Sequence, residues 1–376
     1  MTYIHELGDW PHFKWDDEAV VANLSKVRHR QGRLIGRMEM LGFDLQAEAS
    51  LQSLTEEVVK SSEIEGEVLD RDQVRSSLAR RLGMDVAGLV PADRDVEGVV
   101  EMMLDATQNY IAPLNKDRLF GWHAAIFPTG RSGLSKITVG DWRTEASGPM
   151  QVVSGAYGRE KVHFEALDAG SVDGEMAYFL QWFEQAKTID PVLKAAVAHL
   201  WFVTIHPFDD GNGRIARAIA DLALARSEKI ARRFYSMSAQ IRAERNDYYE
   251  ILERTQKGSL DITAWLLWFL GCLDRAFTGA EGVVGNVLRK ARFWEQLSGE
   301  KLNERQTKVL NRLLDGFDGK LTSSKWALLT KSSQDTAGRD IDDLVRRGVL
   351  MKNPGGGRST SYSLVASHAP EQVADD

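Results

Sequence analysis

The sequence has a single cysteine and no apolar run long enough to cross a membrane. Cys272 alone cannot form an internal disulfide, and its apolar surroundings predict a buried structural thiol rather than a nucleophile. The longest apolar run, residues 262–273, is too short for a bilayer and is flanked by Asp261 and Asp274, so we predict a core helix there. The polar, aromatic N-terminal residues do not resemble a signal peptide. Together these absences predict a cytoplasmic protein with no membrane partner.

Zinc-ligand clusters, internal repeats and low-complexity tracts are also missing from the sequence. What remains is the composition of an ordinary soluble protein, with 43% hydrophobic and 27% charged residues and a formal charge of −7. A length of 376 residues predicts two or three domains with ample core.

The most informative stretch is residues 206–217, with the sequence HPFDDGNGRIAR. An apolar segment without glycine or proline precedes it at residues 192–205, and strong helix formers follow at residues 215–225. Pro207 ends the first helix at or just before His206. The stretch therefore predicts a helix, a tight loop and a second helix.

The start of the second helix is suited to an anion. The turn at residues 211–213, Gly-Asn-Gly, leaves backbone N–H groups free at a helix N-terminus, and its glycines let a phosphate approach closely. Arg214 and Arg217 lie one turn apart, so both guanidinium groups can meet a polyphosphate.

The loop itself supplies candidates for the chemistry. Asp210 is a hard oxygen ligand suited to Mg²⁺, with phosphate oxygens completing the shell. His206 can accept a proton near neutral pH, and Phe208 is expected to anchor the loop in the core. Together these residues predict attack by a hydroxyl on a nucleoside polyphosphate, with His206 as general base. Each feature alone is more often structural; their convergence in twelve residues favours the functional interpretation.

Residues 206–217 resemble the Fic-family motif His-Pro-Phe-x-Asp/Glu-Gly-Asn-Gly-Arg-x-x-Arg at every defined position. The resemblance covers about residues 50–280 and implies a mainly α protein, a Fic helical core that transfers AMP from ATP to a Ser, Thr or Tyr hydroxyl of a protein. It implies His206 as base and Asp210 on Mg²⁺. The related Doc toxins phosphorylate instead and carry lysine at the position of Gly213, so glycine there favours adenylylation. The resemblance implies an ATP-binding stretch made of Gly211, Asn212, Gly213, Arg214, Ile215, Ala216 and Arg217.

A second informative stretch runs from Ser50 to Gly66. Ser50 is a candidate N-cap and Gly66 a candidate helix end, so we predict a helix at about residues 50–66. The spacing places the following residues on one stripe: Leu51, Leu54, Val58, Ser61 and Glu65. An inward-facing glutamate needs a cationic partner. The alternative is that Glu65 lies beyond the packed region and is solvated.

Residues 61–66, SSEIEG, resemble the Fic inhibitory motif Ser/Thr-x-x-x-Glu-Gly/Asn. The resemblance implies that Glu65, with Ser61 as the first motif position, pairs with Arg217 and blocks productive placement of the ATP γ-phosphate. It therefore implies an enzyme that carries its own inhibitor, and it predicts that Glu65→Gly is activated.

Two short β-prone runs around a glycine-rich turn at residues 154–158 predict a hairpin within residues 150–164, called the flap below. Gly140–Arg143 resembles the turn that precedes the active site in Fic proteins. In that family the flap docks the target segment by main-chain pairing, which implies a protein target here. The alternative is a surface hairpin with no such role.

The remaining candidates are aromatic. We predict a helix at residues 242–256, and its resemblance to the adenosine pocket of the family implies a nucleotide contact for Tyr249. Gln256 stands where the family often has asparagine. Core packing is the alternative for Tyr248 and Tyr249, and it is the interpretation we favour for His123 and His199.

The predicted organisation has five parts: an N-terminal helical region at 1–95, a catalytic core at 96–280, a connecting helix at 281–300, a winged-helix-like domain at 301–365 and a disordered tail at 366–376. Three helices and a hairpin around residues 355–357 suggest the winged helix. That domain is net basic, but Asp340, Asp342 and Asp343 on its candidate recognition helix would repel DNA. We therefore expect a protein interaction or a homodimer contact rather than DNA binding.

Three rival functions stay open at this point. The first is a DNA-binding regulator whose nucleotide site acts only as a sensor. The second is the reverse reaction, in which Glu65 orients water to remove AMP from a target. The third is transfer of a different group, such as UMP or phosphocholine.

Overall fold

The protein is described by a computed structural model covering residues 2–84, 88–145, 148–154, 161–314, 317, 319–354 and 360–365. These residues contain fourteen α-helices and three two-stranded antiparallel hairpins, which confirms the predicted mainly α class. Within the described residues no helix has both the length and the apolar character that crossing a membrane requires. The chain divides into two compact units, the first formed by residues 1–41, 50–83 and 90–281.

The first unit is helical. Its helices are α1 (Asp17–Glu39), α3 (Arg71–Arg81), α4 (Arg94–Gln108), α5 (Lys116–Ile126), α6 (Val172–Gln185), α7 (Pro191–Ile205), α8 (Asn212–Glu228), α9 (Met237–Ala243) and α10 (Arg245–Gln256), with the C-terminal part of α2 (Phe43–Ile64) and the N-terminal part of α11 (Thr263–Gln296).

Helices α7 and α8 form the centre of this unit. Asp190 caps α7, because its carboxylate accepts a hydrogen bond from the Val192 amide at 2.7 Å, and Pro191 occupies the first helical position. From Val192 to Ile205 every residue except Lys194 is buried. A helix that is apolar on all sides lies inside a domain, so the loop that follows α7 is held by the core.

Two hairpins belong to the first unit. Strands β1 (Arg131–Ser132) and β2 (Ser135–Lys136) form a short one, and β3 (Gln151–Ser154) pairs with β4 (Lys161–Glu165) to form the predicted flap. The turn predicted at residues 154–158 lies, after Ser154, outside the described residues. Phe164 of β4 is buried and anchors the hairpin.

The second unit comprises residues 42–49, 84–89 and 282–376. It contains α12 (Glu304–Leu314), α13 (Ser323–Thr330), α14 (Gln334–Arg346), β5 (Leu350–Lys352) and β6 (Tyr362–Leu364). Trp326, Ile341 and Leu344 are fully buried at its centre. The order of three helices and a hairpin agrees with the predicted pattern, and the winged-helix assignment stays a prediction. The glycine turn at 355–357 and the tail at 366–376 lie outside the described residues.

Three predicted boundaries are wrong. The helix expected from Ser50 begins at Phe43, because the seven residues before Ser50 are mostly good helix formers, and Ser50 lies buried inside it rather than capping it. The connecting helix expected at 281–300 is the end of α11, which runs unbroken to Gln296 since its glycines are surrounded by helix formers and it has no proline. The helix expected at 242–256 is divided at Glu244 into α9 and α10.

Candidate active site

The loop between α7 and α8 is closed by hydrogen bonds to its own backbone. His206 ends α7 in the left-handed conformation, with φ of 53°. The Phe208 amide donates to the Asn212 side-chain oxygen at 3.0 Å, and the Asn212 side-chain NH₂ donates to the Phe208 carbonyl at 2.8 Å. Phe208 is fully buried, as the sequence predicts. The loop conformation is therefore fixed by one amide side chain and one aromatic anchor.

His206 has the geometry of a neutral base. Its Nδ1–H donates to the Val203 carbonyl at 3.1 Å, because a carbonyl can only accept, and this leaves Nε2 with a free lone pair. Burial is the largest influence on its pKa and lowers it below the ordinary value of histidine. A histidine in this state is unprotonated at neutral pH and can take a proton from a hydroxyl.

Both carboxylate oxygens of Asp210 accept hydrogen bonds, one from the loop and one from β1. Oδ1 accepts from the Gly211 amide at 2.6 Å, and Oδ2 accepts from the hydroxyl of Ser132, which lies on β1. Each oxygen keeps a second lone pair, so the group fits Mg²⁺, which takes one or two carboxylates and completes its shell with phosphate oxygens and water. Among the residues the structure describes, no group of three or more His, Cys, Asp or Glu could hold a metal.

Two residues that support the loop were not identified as such from the sequence. Arg143, which follows the turn at Gly140, is buried; its Nε donates to the His206 carbonyl at 2.8 Å and its amide donates to the Pro207 carbonyl at 2.9 Å. The turn was noticed by resemblance, but nothing in the pattern indicated which backbone groups Arg143 would meet.

His123 is the other supporting residue. It is stacked on Phe208 with ring centroids 4.1 Å apart. Its Nδ1 accepts from the Gly140 amide at 3.2 Å, so its Nε2–H donates to the Asp210 carbonyl, also at 3.2 Å. Burial lowers the pKa of His123 to about 4. The predicted core packing is observed, and the polar contacts add a role in holding the loop.

The N-terminus of α8 has the backbone shape of an anion site. Gly211 is the N-cap with φ of 81°, and a Cβ there would lie 2.8 Å from Ile126 and Phe127 atoms, so only glycine fits. The Cα of Gly213 faces the carboxylate of Glu65: a Cβ on Gly213 would lie 2.1 Å from Glu65 Oε1. A carboxylate of the protein itself thus occupies the region where a helix N-terminus favours negative charge.

Both arginines of the motif are buried and paired with carboxylates. Arg217 NH2 lies 2.7 Å from Glu65 Oε1, and the same guanidinium donates to the Ser61 hydroxyl at 2.9 Å and to the Ser61 carbonyl at 2.8 Å. Arg214 NH1 lies 2.6 Å from Glu67 Oε2. The structure therefore brings Glu65 to the partner that the resemblance implies, places Ser61 on the same guanidinium, and adds Glu67, which no sequence motif indicated.

Three residues of the predicted ATP-binding stretch face the core, and their role as nucleotide contacts stays a prediction. The side chains of Ile215 and Ala216 are fully buried, and the Ile215 amide donates to the Gly211 carbonyl. The Asn212 side chain faces Phe208 as described, which leaves only its backbone amide for a phosphate. The side chains of these three residues therefore point away from the N-terminus of α8, into the core.

The candidate residues at the predicted adenosine pocket differ in exposure. Tyr249 is 37% exposed, and its hydroxyl donates to the carbonyl of Ile64, the last residue of α2, at 3.3 Å. Tyr248 is buried against His199, whose pKa burial lowers to about 3. Gln256 is buried and bonded to Thr204. Of these residues, only Tyr249 combines exposure with proximity to the end of α2.

Comparison with known families agrees with this arrangement. Residues 113–224 match the Fic/DOC family, and residues 3–84 match a domain of unknown function, DUF4172. The Fic/DOC match includes α7, the loop and most of α8, so residues 113–224 are similar to a Fic domain. The DUF4172 match that precedes it includes α2 and the residues facing the two arginines.

Curated relatives and a solved structure extend the comparison. The chain is 24% identical over 238 residues to the protein adenylyltransferase Fic of Drosophila yakuba, covering 60% of this chain and 42% of that protein. It is 27% identical over 233 residues to the protein of the same name from Aedes aegypti, with the same two coverages. The matched region thus spans about two fifths of the length of each relative. A Fic domain containing signaling protein from Bacteroides thetaiotaomicron shares the fold, with a TM-score of 0.51 and 20% identity over 70% of this chain and 97% of that chain.

Proposed function

We propose that this chain is a protein adenylyltransferase that moves AMP from ATP to a Ser, Thr or Tyr hydroxyl of a target protein, and that Glu65 inhibits it. The observation that carries the proposal is the pair of buried guanidinium groups one turn into α8, beside a helix N-terminus and a neutral histidine. Two cations and free amides in one place favour a polyphosphate. The names of the curated relatives support the same reaction.

The roles of the residues follow from their positions. His206 Nε2 would accept the proton as the target oxygen attacks the α-phosphorus, while the bond to pyrophosphate breaks. Arg214 and Arg217 would hold the outer phosphates, and Asp210 would hold Mg²⁺, which supplies charge neutralisation when bound. The amides at residues 212–213 would face phosphate oxygens, and Tyr249 would contact the adenosine.

The protein target would dock on the flap. In the described residues the sheet β3–β4 has two strands, and its edges offer main-chain hydrogen bonds to an extended segment. Such pairing depends little on the side chains of the target, because the bonds are made by the backbone.

The inhibitory role of Glu65 rests on competition for one place. The Glu65 carboxylate pairs with Arg217 and lies against Gly213, where the negative charge of a triphosphate would lie. Because both anions need the same guanidinium, productive binding of ATP requires Glu65 to leave. We therefore expect the wild type to be weakly active.

The test is the intact mass of the Glu65→Gly variant after incubation with Mg²⁺ and ATP. We expect a gain of one AMP on the protein itself or on an added target, with a much smaller gain for the wild type. The gain should be lost in Glu65→Gly combined with His206→Ala. Glu63→Gly, two residues earlier at the end of α2, is the matched control and should behave as the wild type. Absence of any AMP adduct in Glu65→Gly, or an adduct that survives His206→Ala, would contradict the proposal.

A further inference from the structure

The end of α2 directs two carboxylates, not one, at helix α8. The Gly66 amide donates to the Glu63 carbonyl at 3.1 Å and the Glu67 amide donates to the Ser62 carbonyl at 3.0 Å, while Gly66 has φ of 87°. This is the Schellman arrangement that ends many helices. The left-handed residue turns the chain between Glu65 and Glu67, and both side chains then reach α8.

Glu67 pairs with an arginine that is otherwise enclosed. The Arg214 side chain is 3% exposed, its NH1 lies 2.6 Å from Glu67 Oε2, and its guanidinium lies 4.9 Å from the centre of the Phe127 ring. The Arg214 Nε is buried without a hydrogen-bond partner among the described residues. The Glu67 side chain is 45% exposed, so it can move into solvent, whereas the arginine is held by its surroundings.

We propose that Glu67 is a second inhibitory carboxylate, which occupies Arg214 as Glu65 occupies Arg217, so that a nucleoside triphosphate must displace both. This inference rests on the proposed function only in taking the N-terminal turn of α8 as the triphosphate site. It predicts that removing Glu65 alone leaves one of the two phosphate-binding arginines neutralised.

The electrostatic surroundings of Glu67 support displacement. Burial raises the pKa of Glu67 above its ordinary value and Arg214 opposes this effect, while the nearby carboxylates of Asp210, Glu65 and Asp95 raise it further. The Glu67 carboxylate thus adds to the negative charge that a polyphosphate would meet here. Departure of Glu67 favours an incoming triphosphate, because it removes one of these charges and exposes the Arg214 cation in one movement.

The experiment measures nucleotide binding without turnover. In the full chain carrying His206→Ala, the Kd of α,β-methylene ATP with Mg²⁺ is measured by calorimetry for four proteins: the parent, Glu65→Gln, Glu67→Gln and the double variant. Glutamine keeps the size of the side chain and removes its charge. We expect each single change to tighten binding by about threefold to tenfold, the range that ~0.7–1.4 kcal/mol corresponds to, and the double change to tighten it more than either.

Glu63→Gln is the matched control. Glu63 lies at the same helix end but pairs with Lys60 at 2.9 Å and with Arg242 of α9 at 3.5 Å instead of with α8, so its loss should leave the Kd unchanged. Equal urea midpoints of the variants would show that the fold is retained. A Kd for Glu67→Gln within twofold of the parent would overturn the proposal. A weaker Kd would also overturn it, because Glu67 would then be orienting Arg214 for the phosphate.

Failure of this inference is separable from failure of the proposed function. If the affinities for the ATP analogue shift as expected but no variant with an intact His206 incorporates AMP, the inhibitory role of Glu67 is supported and the proposed reaction is wrong. If Glu65→Gly incorporates AMP and adding Glu67→Gln changes neither the rate nor the Kd, the reaction stands and the role of Glu67 is wrong.

Discussion

The two sides of the candidate site are held in different ways. The loop from His206 to Asn212 is held by hydrogen bonds to backbone groups, made by Asn212, Arg143 and His123; the Asn212 bond is buried and the other two are partly buried. The contact between the end of α2 and α8 combines the buried hydrogen bonds from Arg217 to Ser61 with two ion pairs, whose carboxylates are 31% and 45% exposed. Backbone bonds inside a core cannot be exchanged for a ligand, whereas a half-exposed carboxylate can be replaced by a phosphate.

This difference predicts that the loop between α7 and α8 contributes mainly to stability, whereas the contact between the end of α2 and α8 regulates nucleotide binding. Changes in the loop should reduce the free energy of unfolding together with activity, because each leaves buried polar groups without partners. Changes at the two carboxylates should alter nucleotide binding directly, and they should also reduce the free energy of unfolding, because each leaves a buried arginine without its ion-pair partner.

The largest effect is expected for Asn212→Ala. It leaves the buried amide and carbonyl of Phe208 without their partner, at about 1–3 kcal/mol for each group. We expect urea unfolding to show a loss of ~2–4 kcal/mol, and AMP incorporation in the Glu65→Gly background to fall with it. Asn109→Ala, at an exposed position, is the control and should cost under ~1 kcal/mol. A loss no larger than the control would mean that the loop does not depend on this side chain.

Sequence patterns predicted the elements of the site better than its contacts. Pro207 and the glycines at 211 and 213 were sufficient for a helix, a loop and a second helix, because these residues act on their own backbone. The stripe from Leu51 to Glu65 was sufficient to predict that Glu65 faces inward, although α2 itself ends one residue earlier, at Ile64. The ends were less certain: Ser50 has the chemistry of a cap but lies inside α2, since the residues before it also favour a helix.

The contacts that the sequence did not reveal join distant segments. His123 is 87 residues from Asp210, and Arg143 is 63 residues from His206. Periodicity indicates which face a residue occupies, but not which backbone group it meets across the core. Glu67 was missed for another reason: it follows the helix, and its direction depends on the left-handed conformation of Gly66. A glycine between two glutamates at a helix end is the signal that could have identified it.

A smaller effect is expected from the neutral histidine that supports the loop. The folded pKa of His123 is about 4, below the unfolded value of 6.5, so between these values the unfolded chain binds a proton that the folded chain refuses. Stability is therefore lost as the pH falls below 6.5. Between pH 7.5 and 5.0 we expect His123→Gln to lose ~2 kcal/mol less than the parent in urea unfolding.

His199 provides the comparison for this measurement. It is buried with a pKa of about 3 and should contribute a similar acid loss, which remains in His123→Gln. Among the groups that act on His123, Asp210 and Asp209 raise its pKa and Arg214 lowers it, so the difference between parent and variant is the quantity that isolates it. If the free energy of unfolding of the parent and of His123→Gln depends on pH in the same way, His123 is not held neutral in the folded protein.

The smallest effect, and the sharpest separation of the two sides, is expected for Gly66→Ala. No atom lies within 4 Å of the added Cβ, so the cost is only the left-handed backbone, ~1 kcal/mol. Gly83→Ala is the matched control, since Gly83 follows α3 with φ of 67° and equally open space. Both should lose about the same stability. Because the direction of Glu67 depends on the left-handed conformation of Gly66, only Gly66→Ala should tighten binding of the ATP analogue in the His206→Ala background, by about twofold to fivefold. If both variants lose the same stability and neither changes the affinity for the analogue, the carboxylates reach α8 without the turn at Gly66. The contact between the end of α2 and α8 would then depend on the ion pairs alone.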